Sequence, residues 1–440
     1  MTFLEGIKKA GVVGAGGAGF PTHIKLDTQA KTLIINGIEC EPLLKTDKFL
    51  IRRFSEALIQ GALAIGKHLK AQDIVIAIKE KNKKEIEQLQ RCLKPGEVSL
   101  KIHPVGDFYP AGDEQMLVRE VMAETVAPGK IPLSKGVVIT NVATVLDIVH
   151  QQPVTHRVMT IGGEVNQPCL IKVPIGTDLQ SCIEAAGGPK ISDYHALTGG
   201  PMMGQLCPRS ELSRTYVTKT MGGLILLPSH HPIIQHHHLS ISHCLKRAAS
   251  VCIQCRMCTD LCPRYLNGHP LHPHLVMRSV AFGKITMESS KSALLCCACG
   301  ICEHFACPMG LSPKMINESV KSTLMQGGVK WVNTEEAFQE VHPQRSYRKI
   351  PTERLIQRLG LSIYETDVPE TLQSLTPDKV VIPLKQHIGV LAKPVVENGD
   401  KVVVGQLIAS VGTDLGSEIH SSLDGTVKKV EKDYIMVERS

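Results

Sequence analysis

Cys252-Ile253-Gln254-Cys255-Arg256-Met257-Cys258-Thr259-Asp260-Leu261-Cys262-Pro263 and Cys296-Cys297-Ala298-Cys299-Gly300-Ile301-Cys302-Glu303-His304-Phe305-Ala306-Cys307-Pro308 decide how this chain is read. The first run spaces its cysteines C-x2-C-x2-C-x3-C, with proline next. The second repeats the device with one extra residue in its last gap. Three close thiolates with a fourth set just before proline suit a cubane 4Fe-4S cluster, because soft sulfur ligands select it. Zinc is the competing reading, since one C-x2-C serves it equally well. Zinc sites, however, are usually built from two separated C-x2-C knuckles. Two runs imply two clusters and a path for single electrons. Cys297 falls out of register and reads as a bystander.

Working outward, the compartment follows from the cysteines. The start, Met1-Thr2-Phe3-Leu4-Glu5, lacks the charged and apolar regions of a signal peptide. No apolar run reaches the roughly 18 residues that span a bilayer. A cytosolic, reduced protein is expected, in which clustered cysteines mean metal rather than disulfides. Cys40, Cys92, Cys169, Cys182, Cys207 and Cys244 are scattered, and most read as small core residues. Aromatics make up 4% of the chain, too few for a base-stacking surface. The net charge of +7 is dispersed, so no phosphate track and no nucleic-acid partner is expected. At 440 residues, a prior of about 150 per domain suggests roughly three domains.

The first 150 residues alternate strand and helix signals. Strands are predicted at Thr32–Asn36, Asp73–Ile78, Val98–Val105 and Val137–Thr140. Helices are predicted at Phe54–Leu69, Lys83–Leu93 and Asp113–Thr125. That alternation gives a parallel sheet covered by helices, with ligands beyond the carboxyl ends of its strands. Gly14-Ala15-Gly16-Gly17-Ala18-Gly19 satisfies G-x-G-x-x-G. However, a helix-like stretch precedes it and Pro21 follows, so the ordinary dinucleotide fingerprint is rejected. The glycines still let backbone N–H groups approach a phosphate or a flat ring. A plain tight turn is the alternative.

After Pro153, short strands at Arg157–Ile161 and Leu170–Val173 and a helix near Leu179–Ala186 suggest a small α+β module. A histidine-rich stretch, His230–His243, leads into a helical cysteine segment; it reads as a solvated polar connector, with metal or corrin ligands among the histidines from His230 to His274 as the alternative. Residues from about Gly327 to Thr376 read as a linker. The last 65 residues or so have strand-and-turn character, with turns at Asn398-Gly399-Asp400 and Leu423-Asp424-Gly425.

Several motifs together carry a resemblance. They are Gly14 to Thr22 with Lys25, Asn36-Gly37-Ile38-Glu39-Cys40-Glu41-Pro42, Tyr109-Pro110-Ala111-Gly112-Asp113-Glu114 and Asn141-Val142-Ala143-Thr144. In order and spacing the series resembles the FMN- and NADH-binding subunit of respiratory complex I. The resemblance implies a pocket for FMN and NADH lined by Gly14, Gly16, Gly17, Gly19, Lys25, Asn36, Glu39, Tyr109, Gly112, Asp113, Glu114, Asn141 and Thr144. Ala143 stands where those relatives usually carry Glu. Gly199-Gly200-Pro201-Met202-Met203-Gly204 and Gly222–Leu227 resemble the β-grasp (SLBB) module of the RnfC-type branch. Ile382–Gly389 resembles its barrel-sandwich domain, itself similar to lipoyl carriers but without a carrier lysine here.

The implied architecture is multidomain α/β. It comprises a Rossmann-like parallel-sheet FMN/NADH domain (1–152), a β-grasp (SLBB) module (153–229), an α-helical two-cluster ferredoxin domain (243–326), a linker (327–375) and a C-terminal all-β barrel-sandwich (376–440). By analogy with two-cluster ferredoxins, the fourth cysteines cross. One 4Fe-4S cluster would use Cys252, Cys255, Cys258 and Cys307, and the other Cys296, Cys299, Cys302 and Cys262. A barrel-sandwich at the C-terminus resembles the cobalamin-reductase branch of propanediol-utilisation microcompartments. That implies cobalamin as acceptor, an adenosyltransferase and shell proteins as partners, and a cytoplasmic location inside the compartment. An electron-transfer subunit serving another protein is the alternative.

Overall fold

Thr32-Leu33-Ile34-Ile35-Asn36 is apolar on both faces, and both faces are buried, as a strand in a helix-covered parallel sheet requires. The computed structural model describes residues 1–93, 100–150, 152–283, 290–332 and 340–439. In it, β1 (Thr32–Asn36) lies between β2 (Asp73–Lys79) and β5 (Val137–Asn141), with β3 (Leu100–Val105) beyond β2. All three pairings are parallel. Residues 98 and 99, predicted to open β3, lie outside the described residues. β4 (Phe108–Tyr109) stands apart from this sheet. The chain therefore moves outward from β1 to β3 and returns on the other side of β1. That reversal makes the crevice between β1 and β5 the topological switch point, where open α/β sheets bind ligands.

Alternate side chains serve opposite faces. Leu33, Ile35 and Ile76 pack with Leu58 and Ile65 of α3 (Thr46–Leu69) and Val145 of α6 (Val142–His150). Ile34, Val75 and Ile139 pack with Leu117 and Val118 of α5 (Glu114–Met122). Three further helices complete this region, α1 (Phe3–Lys9), α2 (Thr22–Lys25) and α4 (Lys83–Cys92). α3 begins earlier than its apolar spacing suggests, because Phe54 leaves helical φ/ψ and joins two segments across a kink. α5 stops short of Thr125, at Ala123 in the left-handed conformation.

The second module forms a six-stranded sheet from β6 (His156–Gly163), β7 (Cys169–Pro174), β8 (Tyr194–Thr198), β9 (Gln205–Cys207) and β10 (Gly223–Pro228), closed by a strand from far along the chain. α7 (Leu179–Ala185) packs its Leu179, Cys182 and Ile183 on it. The closing strand corrects the predicted linker. β11 (Ile350–Pro351) pairs with β4, and β12 (Leu372–Ser374) extends the β-grasp sheet beside β7. The helix Thr352–Arg358 lies between them. Its sparse apolar residues, Leu355 and Ile356, are buried with Ile350, Leu359 and Leu361. These few anchors hold a strap across two domains while polar residues dominate its composition. Residues 333–339 of that tract lie outside the described residues.

The histidine-rich connector is also more ordered than predicted. It contains α8 (Pro232–His237) and the start of α9 (Ile241–Val251), which Ser240 caps. Short helices follow, and three of the helices in this segment begin with proline at the first turn: Pro263–Leu266, Pro273–Ala281 and Pro313–Gln326. The C-terminal domain is a sandwich of a four-stranded and a three-stranded antiparallel sheet. It sits against the first domain, with Lys8 Nζ donating to Gly412 O at 2.7 Å.

Candidate functional site

The glycine loop lies at the switch point. Gly14 N donates to Phe20 O at 3.0 Å, and Ala15 N donates to Thr144 Oγ1 at 2.9 Å. A Cβ on Gly16 would stand 3.1 Å from Asn141 Nδ2, whereas one on Gly17 would meet nothing within 4 Å. Both residues are exposed. The loop thus presents bare backbone to open space, which suits a phosphate or a flat ring. Its rear is crowded. Gly19 has φ +74°, and a Cβ there would lie 3.0 Å from Gln386 O and from Thr220 Cγ2. Ile388 N donates to Gly19 O at 3.1 Å. The barrel-sandwich and the β-grasp module together form the back wall of the loop.

Two asparagines at the strand ends brace the crevice floor. Asn36 and Asn141 are register partners on β1 and β5. Asn36 Nδ2 donates to Gly112 O at 2.9 Å, and Asn141 Nδ2 donates to Asp47 Oδ2 at 3.0 Å. Lys25 pairs with Glu114 at 2.9 Å. Glu39 Oε1 accepts from Asp47 N at 3.1 Å, while its buried Oε2 has no partner. Burial raises the Glu39 carboxyl. Burial and then the Glu39 charge push Asp47 up to about 7. Sequence reasoning missed Asp47. Its signal was the Thr46-Asp47 start of α3, an acid in a first helical turn. Glu41 Oε2 accepts from Met202 N at 2.9 Å and so ties the first domain to the β-grasp module. Cys40 Sγ accepts from Gly112 N at 2.9 Å.

The turn at Tyr109–Glu114 is where the first domain meets the cysteines. Tyr109 is fully buried, and its OH donates to Cys299 O at 2.8 Å. Asp113 Oδ1 caps α5 by accepting from Gln115 N and Met116 N, and its Oδ2 pairs with Arg264 Nη2 at 2.8 Å. The functional atoms of Tyr109 and Asp113 therefore point at the cysteine segment. Asn36, Glu39, Asn141, Thr144 and the glycines gather at the crevice.

The cysteines of the two runs lie close together, with Cys307 near Cys258 and Cys262 near Cys296, Cys299 and Cys302. Burial, then the negative charges of Cys307, Cys255 and Cys252, pushes the Cys258 thiol up to about 12. Cys262, Cys296, Cys299 and Cys302 line a single cavity. Cys297 shares that wall, so its place out of register in sequence does not keep it away from the second set. Burial and then the charge of Cys297 push Cys296 up to about 12. Buried thiols crowded this way ionise when a cation such as iron stands among them, which is the donor chemistry of iron–sulfur centres. The backbone repeats as well. Left-handed residues flank the middle cysteine of each run, Gln254 and Arg256 around Cys255, and Ala298 and Gly300 around Cys299. Three of these four are not glycine, and such strain is held where a site demands it. Lys321 Nζ donates to Cys296 O, and Leu311 N donates to Cys307 Sγ at 3.4 Å. Among the described residues, no helix is long and apolar enough to cross a membrane.

Comparison with known proteins agrees with this division. The family model described as the Nuo51 FMN-binding domain matches residues 7–150, and an SLBB domain matches 158–206. A 4Fe-4S dicluster domain matches 251–312, and the RnfC barrel sandwich hybrid domain matches 365–439. The cobalamin reductase PduS of Citrobacter freundii is 41% identical, over 100% of this chain and 97% of that protein. PduS of Salmonella typhimurium is likewise 41% identical, over 99% and 96%. A subunit of the proton-translocating ferredoxin:NAD(+) oxidoreductase complex of Clostridium ljungdahlii is 32% identical over 59% of this chain and 55% of its own length. An NAD+-reducing NiFe hydrogenase structure shares the fold at 18% identity, with TM-score 0.50 over 76% of this chain and 67% of its own.

Proposed function

The chain belongs to the PduS cobalamin reductase family, and from that premise we propose that it passes electrons from NADH through FMN and two 4Fe-4S clusters to cobalamin. Bound FMN would take a hydride and give up single electrons, which the clusters carry one at a time. The observation that supports this reading most directly is the Tyr109–Asp113 turn. It closes the crevice on one side and is bonded to Cys299 O and Arg264 on the other. A cluster held by Cys262, Cys296, Cys299 and Cys302 would share a wall with the crevice, and one held by Cys252, Cys255, Cys258 and Cys307 would stand next to it. Gly16 and Gly17 would hold the flavin through backbone N–H groups, with Gly14 closing the loop onto Phe20 O. Glu39 Oε2 is a free acceptor for a ring, ribose or amide donor. No acid–base dyad is needed for hydride transfer, so the carboxylates bind and orient. An adenosyltransferase as recipient, and a cytoplasmic site inside a microcompartment with its shell proteins, complete the proposal.

The test is anaerobic NADH oxidation by iron-reconstituted protein with cobalamin as sole acceptor, followed by the cobalamin spectrum. Gly17→Trp, which fills the open side of the loop, should abolish NADH oxidation at unchanged iron content. Wild-type protein that reduces a dye with NADH but never cobalamin would shift the reading to a subunit serving a protein acceptor.

A further inference from the structure

The histidine-rich connector and the extra residue in the second cysteine run meet at one place. The long last gap, Cys302 to Cys307, is accommodated by a π-helical turn, Ile301–Phe305. Such one-residue insertions cluster at functional sites because they re-aim side chains. This one presents Glu303 and His304 to His236 on α8. Glu303 Oε1 lies 3.4 Å from His304 Nε2 and 3.9 Å from His236 Nδ1. All three ligand atoms fall within 4.8 Å of one another. The side chains are 3%, 9% and 17% exposed for Glu303, His304 and His236.

We propose that His236, Glu303 and His304 form a binding site for a divalent transition ion of the zinc class, separate from the iron–sulfur centres. Ligands about 2.0–2.1 Å from a tetrahedral zinc are about 3.3 Å apart, so the closest pair already has the spacing, His236 Nδ1 must approach Glu303 by roughly 0.6 Å, and no pair of the three ligand atoms needs to close by more than about 1.5 Å. The surroundings leave the right atoms free. Ser312 Oγ lies 3.0 Å from His236 Nε2, which directs Nδ1 toward Glu303 in the way outer hydrogen bonds fix a ligating imidazole. Met315 N occupies Glu303 Oε2 at 3.2 Å and leaves Oε1 for the ion. Lys314, the nearby cation, turns its Nζ to Met202 O at 3.2 Å. Two histidines and one carboxylate leave a fourth position for water. The ion would rivet the connector to the loop that carries Cys302 and Cys307.

The experiment uses full-length protein, reconstituted anaerobically until its iron content is constant, loaded with zinc chloride and passed over a chelating resin. About one zinc per chain is expected, with nitrogen and oxygen neighbours near 2.0 Å and no sulfur near 2.3 Å in its X-ray absorption spectrum. His236→Ala should lower retained zinc at least about tenfold at unchanged iron and flavin content. His304→Ala, which leaves the connector intact, should do the same and decides the matter if His236→Ala folds poorly. No zinc on the wild type, sulfur neighbours around it, or equal zinc on both variants would each overturn the site.

Discussion

The Asp113–Arg264 pair joins the crevice to the cysteine segment, and its removal is predicted to be costly. Asp113→Asn keeps an oxygen to cap α5 for Gln115 N and Met116 N, so the cap, worth about 1 kcal/mol, is preserved. The ion pair is lost. Asp113 and Arg264 are 16% and 11% exposed, Arg264 Nε already has no partner, and the loss of the carboxylate leaves Cys297 as the neighbour of the guanidinium. Breaking a buried pair typically costs about 3–5 kcal/mol. With both groups slightly exposed, the lower end is expected, about 3 kcal/mol, or roughly a 150-fold shift in the folded equilibrium. Arg264→Met should cost less, and Asp113→Asn with Arg264→Met less than the sum, because the apolar side chain fills the space without a charge. Anaerobic urea unfolding of the four proteins, followed by circular dichroism and cluster absorbance, gives the coupling. It should be at least about 2 kcal/mol. In stopped-flow experiments Asp113→Asn should slow cluster bleaching by NADH more than flavin bleaching. Additivity within about 0.5 kcal/mol, or equal effects on both bleaching phases, would refute the claim that this pair holds the turn against the cysteines.

Iron analysis should find about eight irons per chain, and Cys255→Ser or Cys299→Ser should remove one paramagnetic signal and weaken the other, because the fourth ligands cross; zinc in place of iron would refute the cluster reading. Burial raises the Glu41 carboxyl from 4.5 to about 7. The folded state therefore binds the proton more tightly, and stability falls as pH rises from about 4.5 to about 7, by up to about 3 kcal/mol. Glu41→Gln should raise the urea midpoint relative to wild type more at pH 8 than at pH 5; an equal gain at both would show that the carboxyl does not titrate there. Truncation before Thr376 should lower flavin content as well as weaken partner coupling, since it strips the back of the glycine loop at Gln386 and Ile388. A truncated protein with full flavin and normal NADH-to-dye activity would show that the loop stands without that support.

The parts of the molecule that obey local rules were legible in the sequence. Three aliphatic runs became β1, β2 and β5 of the parallel sheet, because a strand buried on both faces needs no partner-specific pattern to declare itself, while the edge strand β3 is buried only at its two ends. The cysteine runs declared their chemistry by spacing alone. What stayed hidden depends on contacts far apart in the chain. The strap at Ile350–Ser374 looked like a linker because five buried anchors scattered among polar residues give no periodic signal. Tyr109 and Asp113 were grouped with the crevice because they sit in its motif. Only the fold reveals that their polar atoms are used by Cys299 and Arg264. Asp47 escaped because its partners, Glu39 and Asn141, lie 8 and 94 residues away.

These hidden contacts share a logic. The β-grasp module and the cysteine segment carry cores of their own, the first domain and the barrel-sandwich share one continuous apolar cluster, and the proposed electron path needs fixed distances between groups held by different modules. Polar side chains on one module that complete hydrogen bonds on another supply that fixation with directional geometry, which apolar contact alone does not. Glu41 reaches Met202 N across the boundary between the first domain and the β-grasp. Lys219, buried on the β-grasp, donates to Gly11 O at 2.7 Å and to Glu418 O at 2.5 Å, and so joins three modules at one ammonium. Its position behind the glycine loop explains why the barrel-sandwich needs no redox group or carrier lysine to matter to the crevice. A C-terminal domain that closes the rear wall contributes by holding Gly11 and Gly19 where the loop requires them. The order of modules along the chain is then free to vary, provided the same surfaces meet in space.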